Sequence, residues 1–213
     1  MATNSLCRMM AYPSYVVYKY AKHMLMHLVA NPMHVMMRRS PTGNLEIAQP
    51  TIAPFTSGKM EYGLHMFADS DVLHTGGVIM LAGAAISTTS TRQHMAAPDP
   101  YTAEVVAAGT MLHELIPIRG WLREQRVVQA VPTPYYIDSL GCVRVATNEA
   151  SCKKSVWVRR RLRVLNDGHK HGDAEYIQID EADNVSDGYS KPIKAAVFKR
   201  HVAYLSGNWP PAE

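Results

Sequence analysis

The 213-residue sequence predicts an α/β domain: a mixed five-stranded sheet flanked by helices. Three observations carry that prediction. Strand-like runs crowd together at residues 63–69, 76–82 and 84–90, apolar residues recur at helical spacing from Tyr101 to Arg126, and short strand runs return later at 135–138 and 175–179.

The first two runs are joined by a short polar turn, and Gly83 separates the second from the third, which predicts an antiparallel meander. Val105, Ala108, Leu112, Leu115 and Leu122 then mark a long helix. Pro117 falls inside it and is expected to kink or split it, because proline cannot donate to the carbonyl of His113. Helices are expected from Ser139 to about Asn148 and over residues 153–167, and helical material from about 183 to 206.

Ahead of this domain the chain reads differently. Glu46 is its first acidic residue, whereas Arg8, Lys19, Lys22, Arg38 and Arg39 precede it. Val17, Ala21, Met24, Leu25 and Leu28 form an apolar stripe between Pro13 and Asn31-Pro32. This is either a helix packed on the domain or, being basic and free of acids, an organelle transit segment. Residues 40–58 are rich in Pro, Gly, Ser and Thr and read as a linker. The expected division is therefore an N-terminal segment, 1–58, and a main domain, 59–213.

Composition narrows the classes. With 47% hydrophobic and 19% charged residues the chain is expected to fold. No apolar run approaches the roughly 20 residues needed to span a bilayer, so no membrane association is expected. Cys7, Cys142 and Cys152 are too few and scattered for a disulfide framework or a zinc module. A reducing compartment is expected, cytoplasmic or nuclear, with a mitochondrial location as the alternative that the basic N-terminus suggests. The net charge of +4 is too mild to argue for nucleic acid by itself.

Four acids occupy informative places: Asp69 at the end of the first strand, Glu104 early in the long helix, Asp138 after the fourth strand, and Asp187 opening the last helical stretch. They lie 35, 34 and 49 residues apart, so only folding brings them together. Converging carboxylates repel unless protonated or neutralised by cations. Hard ions such as Mg²⁺ prefer such oxygen ligands, and a pair of them suits in-line attack on a phosphodiester. The plainer reading of Asp138 and Asp187 is that each caps the helix that follows it.

The segments FADSD (67–71), TGGVIMLAGAAISTTSTRQ (75–93), TAEVVAA (102–108), WLREQ (121–125), YYIDSLGCV (135–143) and SDGYSKPI (186–193) follow one another in an order that resembles the ribonuclease H domain of copia-type retrotransposon polyproteins. There the pattern runs Ser-Asp-Ala-Asp-Trp, Ser-Gly-Tyr, Gly-Gly-Ala-Ile-Ser, Glu-Ala-Glu-Tyr, Asp-Asn and Ala-Asp-x-x-Thr-Lys-Pro. The resemblance covers about residues 15–205, and residues 15–39 look like the helix and short strand that follow the polymerase in such polyproteins.

The resemblance implies a ribonuclease H-like fold, with Asp69, Glu104, Asp138 and Asp187 as catalytic acids and metal ligands. It implies two Mg²⁺ ions, with Mn²⁺ as a substitute, and hydrolysis of the RNA strand of an RNA–DNA hybrid by an activated water. Arg92 and Gln93 stand where the family has a basic residue and Gln, which implies contact with the hybrid's minor groove. Lys153, Lys154, Arg159, Arg160, Arg161 and Arg163 place six positive charges in eleven residues. If helical, Arg159, Arg160 and Arg163 share a face that could follow a phosphate backbone or merely be solvated.

Several positions depart from the pattern. Val72 replaces its tryptophan, Thr102 and Val105 its Glu and Tyr, and Ser139 its asparagine. Pro98-Asp99-Pro100 alters the approach to the long helix, and KSVWV (154–158) loses a histidine and an acid. His169 and His171 sit in a polar loop that either assists product release or is simply solvated. Two functions therefore compete: a metal-dependent nuclease, and a non-catalytic module of the same fold that acts through a protein partner.

Overall fold

Antiparallel pairing joins β1 (His65–Asp71) to β2 (His74–Leu81) and β2 to β3 (Ala84–Arg92), the expected meander. The β2–β3 turn holds Ala82 and Gly83 at φ 54° and 76°, the left-handed pair that lets a two-residue turn follow the strands' twist. The structure is a computed structural model and describes residues 63–93, 97–127, 129–148 and 156–207. The helix, short strand and linker expected at 1–58 lie outside the described residues, as do Lys153 and Lys154.

Helix α1 (Pro100–Glu124) crosses back over the sheet. Its altered approach forms a working start: the Asp99 side chain accepts a hydrogen bond from the Thr102 N–H, and Pro100 occupies the first turn, where a missing N–H costs nothing. Pro117 does not split the helix, contrary to the sequence expectation. Both Pro117 and His113 lie on the exposed side, so water can take the bond that the His113 carbonyl loses.

Strand β4 (Thr133–Ile137) runs parallel to β1, and β5 (Ala174–Gln178) parallel to β4. Helices α2 (Leu140–Thr147) and α3 (Val156–Lys170) supply the crossover between them. The last helical stretch is three pieces rather than one: a 3₁₀ turn at Glu181–Asp183, α4 (Asp187–Ser190) and α5 (Ala195–Leu205). Pro192 explains the final break, since it disfavours helical backbone at Lys191 and has no N–H to give. The resulting strand order, β3-β2-β1-β4-β5, with three antiparallel strands and two parallel ones, is a ribonuclease H-like fold.

Each sheet face has its own core. Met66, Ala68, Ile79, Tyr135 and Ile137 pack against Met111, Leu112 and Leu115 of α1 and against Leu162 and Leu165 of α3. Phe67, Val78, Met80 and Tyr136 meet Tyr204 and Leu205 of α5 on the other face. Adjacent glycines in β2 serve one face each. A Cβ on Gly77 would lie 2.0 Å from Met111 Sδ, and a Cβ on Gly76 would lie 2.6 Å from the Ser186 carbonyl oxygen and 2.8 Å from the Ser190 nitrogen. The Gly-Gly pair thus admits α1 on one side and α4 on the other, and α4 carries Asp187.

Gly77→Ala is expected to destabilise the fold by about 1–3 kcal/mol, the usual range for overpacking. Shortening Met111 to Ala should relieve part of that loss, because the added methyl enters the space vacated. Denaturant unfolding of the two single variants and the double variant checks this; strictly additive losses would contradict it.

Candidate metal centre

The site is assembled by register. Ala68 pairs with Ile137 across the parallel β1–β4 ladder, so the next residues, Asp69 and Asp138, stand side by side at the carboxyl ends of two central strands. Glu104 reaches them from the start of α1. One carboxylate oxygen from each of Asp69, Glu104 and Asp138 can be chosen so that all lie within 4.8 Å of one another. Asp69 is almost wholly buried, and the other two are half-buried.

Asp187 approaches from the opposite layer, at the head of α4. Lys191 joins it to the group: its Nζ lies 3.2 Å from Asp187 Oδ2, 4.0 Å from Asp69 Oδ2 and 2.9 Å from Glu181 Oε1. The Ser190 hydroxyl donates to Asp69 Oδ2. Asn184 ties this segment to β1 by donating to the Ala68 carbonyl at 3.0 Å, while its own Oδ1 accepts from the Ser186 hydroxyl at 2.5 Å. Sequence reasoning missed these supports. Ser190 and Lys191 lay within the SDGYSKPI segment without a role, and nothing in the sequence marked Asn184.

The capping alternatives are not what the structure shows. Ser139, the residue in place of the family's asparagine, caps α2 by accepting from the Cys142 N–H at 3.3 Å, which leaves Asp138 to face the cluster. Asp187 is the first residue of α4 rather than its cap, and the cap residue, Ser186, makes no side-chain capping bond.

The electrostatics follow from crowding acids out of water. Burial, then the charges of Asp69 and Asp138, pushes the Glu104 carboxyl up to about 9. Burial and Asp69 raise Asp138 to about 6 and Asp187 to about 7. Burial alone would pull the Lys191 ammonium down, but its hydrogen bond to Glu181 and the charges of Asp69 and Asp187 outweigh that and raise it. Asp187 Oδ1 is buried with no hydrogen-bond partner. An all-oxygen donor set, mutual repulsion and an orphaned carboxylate oxygen together fit a hard divalent cation.

The other sequence-predicted residues are placed unevenly. Arg92 is exposed at the end of β3, paired across the sheet with His74 and thus at the carboxylate end. Arg159, Arg160 and Arg163 are exposed on α3, as the helical reading requires, and Arg163 lies 3.9 Å from Asp167. Asn166 of the same helix donates to the Val145 and Ala146 carbonyls at the end of α2.

Gln93, expected to touch nucleic acid, instead points inward. It is 7% exposed, and its amide nitrogen is committed to protein acceptors. His169, in the last turn of α3, and His171, in the turn that follows, lie away from this site. The Asp173 carbonyl in that loop accepts from the Thr133 N–H at the start of β4, which puts the loop at the far end of the strand from Asp138, roughly 15 Å away.

Fold and site together define a ribonuclease H-like domain with a candidate acidic metal centre. Comparison with solved structures finds similarity to an RNase H1 isolated from compost by a metagenomic approach (TM-score 0.45, 14% identity, 59% of this chain and 89% of that chain). A second similarity is to the N-terminal RNase H domain of a Mycobacterium tuberculosis protein, solved as a fusion with maltose-binding protein (TM-score 0.43, 13% identity, 60% of this chain and 89% of that chain). No protein-family model and no curated protein matches the chain.

The raised acids predict how stability depends on pH. In the metal-free protein, Glu104, Asp138 and Asp187 hold protons more tightly folded than at their ordinary values of 4.5, 3.8 and 3.8. Their contribution is complete below those values and is lost as pH rises through about 6, 7 and 9. The metal-free melting temperature should therefore fall across this window, and the increment on adding Mg²⁺ should grow across it. A Mg²⁺ increment that stays flat or shrinks with rising pH would contradict the assignment.

Proposed function

We propose that the chain is a metal-dependent endonuclease of the ribonuclease H type that hydrolyses the RNA strand of RNA–DNA hybrids and descends from a copia-type retroelement. The observation that carries this reading is the convergence of Asp69, Glu104 and Asp138 within 4.8 Å at the carboxyl ends of β1 and β4. The ordered motifs described above support the retroelement origin, with residues 59–213 as the nuclease domain and residues 1–58 as the tail of a preceding polymerase region.

In this reading Asp69, Glu104, Asp138 and Asp187 would hold two Mg²⁺ ions, with Mn²⁺ as a substitute. Bound there, the ions supply activation of a water and neutralisation of charge developing on phosphate. The chain's own residues do the rest. Asp69 is fixed by the Ser190 hydroxyl, and Asp138 is fixed by the helix that Ser139 starts. Lys191 sets its ammonium 4.0 Å from Asp69 Oδ2 and 3.2 Å from Asp187 Oδ2, offsetting part of their charge. Arg92, Arg159, Arg160 and Arg163 offer positive charge to the phosphates around the site, and Lys153 and Lys154 extend that basic run in the sequence.

The position of Lys191 also favours a second reading. An ammonium between Asp69 and Asp187 offsets part of the cluster's charge, which suits a non-catalytic module of this fold that serves a protein partner.

The purified chain assayed on a labelled RNA–DNA hybrid separates the two. The nuclease reading expects cleavage that requires Mg²⁺ or Mn²⁺ and falls to background in Asp69→Asn. Absence of metal-dependent cleavage, or equal cleavage by the variant, would overturn the nuclease reading. Replacing Arg159 and Arg160 with alanine should weaken hybrid binding across sequences and reduce the salt slope of log affinity by about 1 for each phosphate no longer neutralised. An unchanged slope would remove α3 from the interface.

A further inference from the structure

The amide of Gln93 lies where three elements meet behind the acidic cluster. Its nitrogen donates to the Ala103 carbonyl at 3.0 Å, the Ser70 hydroxyl at 3.1 Å and the Thr75 hydroxyl at 3.3 Å. An amide carries two hydrogens, so one is shared between the two hydroxyls. The orientation is fixed by chemistry: with nitrogen and oxygen exchanged, the amide oxygen would face the Ala103 carbonyl.

The acceptors decide what this side chain does. Ala103 immediately precedes Glu104, and Ser70 immediately follows Asp69. The Ser70 backbone N–H also acts on Glu104, partly offsetting the rise that burial and the neighbouring acids give its carboxyl. Gln93 therefore grips the chain next to two metal-ligand candidates that come from different elements, at the point where their carboxylates meet. Its backbone is pinned as well, since the Gln93 N–H donates to the Leu73 carbonyl at 2.7 Å.

We infer that Gln93 is a positioning residue that sets the separation of Asp69 and Glu104 by tying the end of β1 to the start of α1, and that it does not contact nucleic acid. This rests on the metal reading of the cluster given above. Outer partners that orient metal ligands typically change affinity or activity by about 10–100-fold when removed.

The test uses the full chain with Gln93→Met, which keeps most of the volume and removes every hydrogen bond of the amide. His65→Phe serves as a comparison for destabilisation alone. It breaks the 2.7 Å bond between His65 and the Tyr204 hydroxyl at the opposite end of β1. Mn²⁺ affinity is measured by calorimetric titration, and the Ser70 amide proton is followed by NMR in the metal-free protein.

Gln93→Met should weaken Mn²⁺ binding by about 10-fold or more and move the Ser70 amide resonance, while His65→Phe leaves both in place. Native-like Mn²⁺ affinity in Gln93→Met, or equal effects in the two variants, would overturn the inference. If the native chain binds no Mn²⁺, the metal reading of the carboxylates falls, and the Ser70 resonance alone decides whether Gln93 positions the two elements.

Discussion

The structure depends on holding carboxylates together that would otherwise repel one another. Asp69 and Asp138 are forced side by side by the parallel β1–β4 register, and Glu104 is driven toward them by the packing of α1 against the same sheet. Burial first, and mutual repulsion after it, raises the proton affinities of Glu104, Asp138 and Asp187. A fold that bears that repulsion keeps a site whose charge a divalent cation would neutralise.

Two small features make the convergence sterically feasible. Gly76 and Gly77 let a helix come against each face of β2, and the α4 side brings Asp187 and Lys191 to the rear of Asp69. Around the site, short polar side chains take up backbone groups: Asp99 and Ser139 start the helices beside Glu104 and Asp138, and Asn184 anchors the segment that carries Asp187. Gly76, the helix caps and Asn184 thus steer the acidic side chains from just outside the cluster.

Much of this was legible in the sequence because it is local. Alternation and turn glycines marked the meander, helical spacing marked α1, and the acids stood at element ends where ligands collect. Pro117 misled because a proline's cost depends on which side of the helix faces water, and periodicity alone did not settle that. The role of Gln93 was hidden for a related reason. A polar residue after an edge strand reads as exposed until the start of α1 folds over it. Lys191 and Asn184 act across more than a hundred residues of chain, and no spacing rule anticipates such contacts.

The most direct measurement is a crystal structure grown with Mn²⁺ and probed by anomalous scattering. The expected result is a manganese peak in contact with carboxylate oxygens of Asp69, Glu104 and Asp138, the three that lie within 4.8 Å of one another. A crystal saturated with Mn²⁺ that shows no peak there, with Lys191 still lying between Asp69 and Asp187, would contradict it.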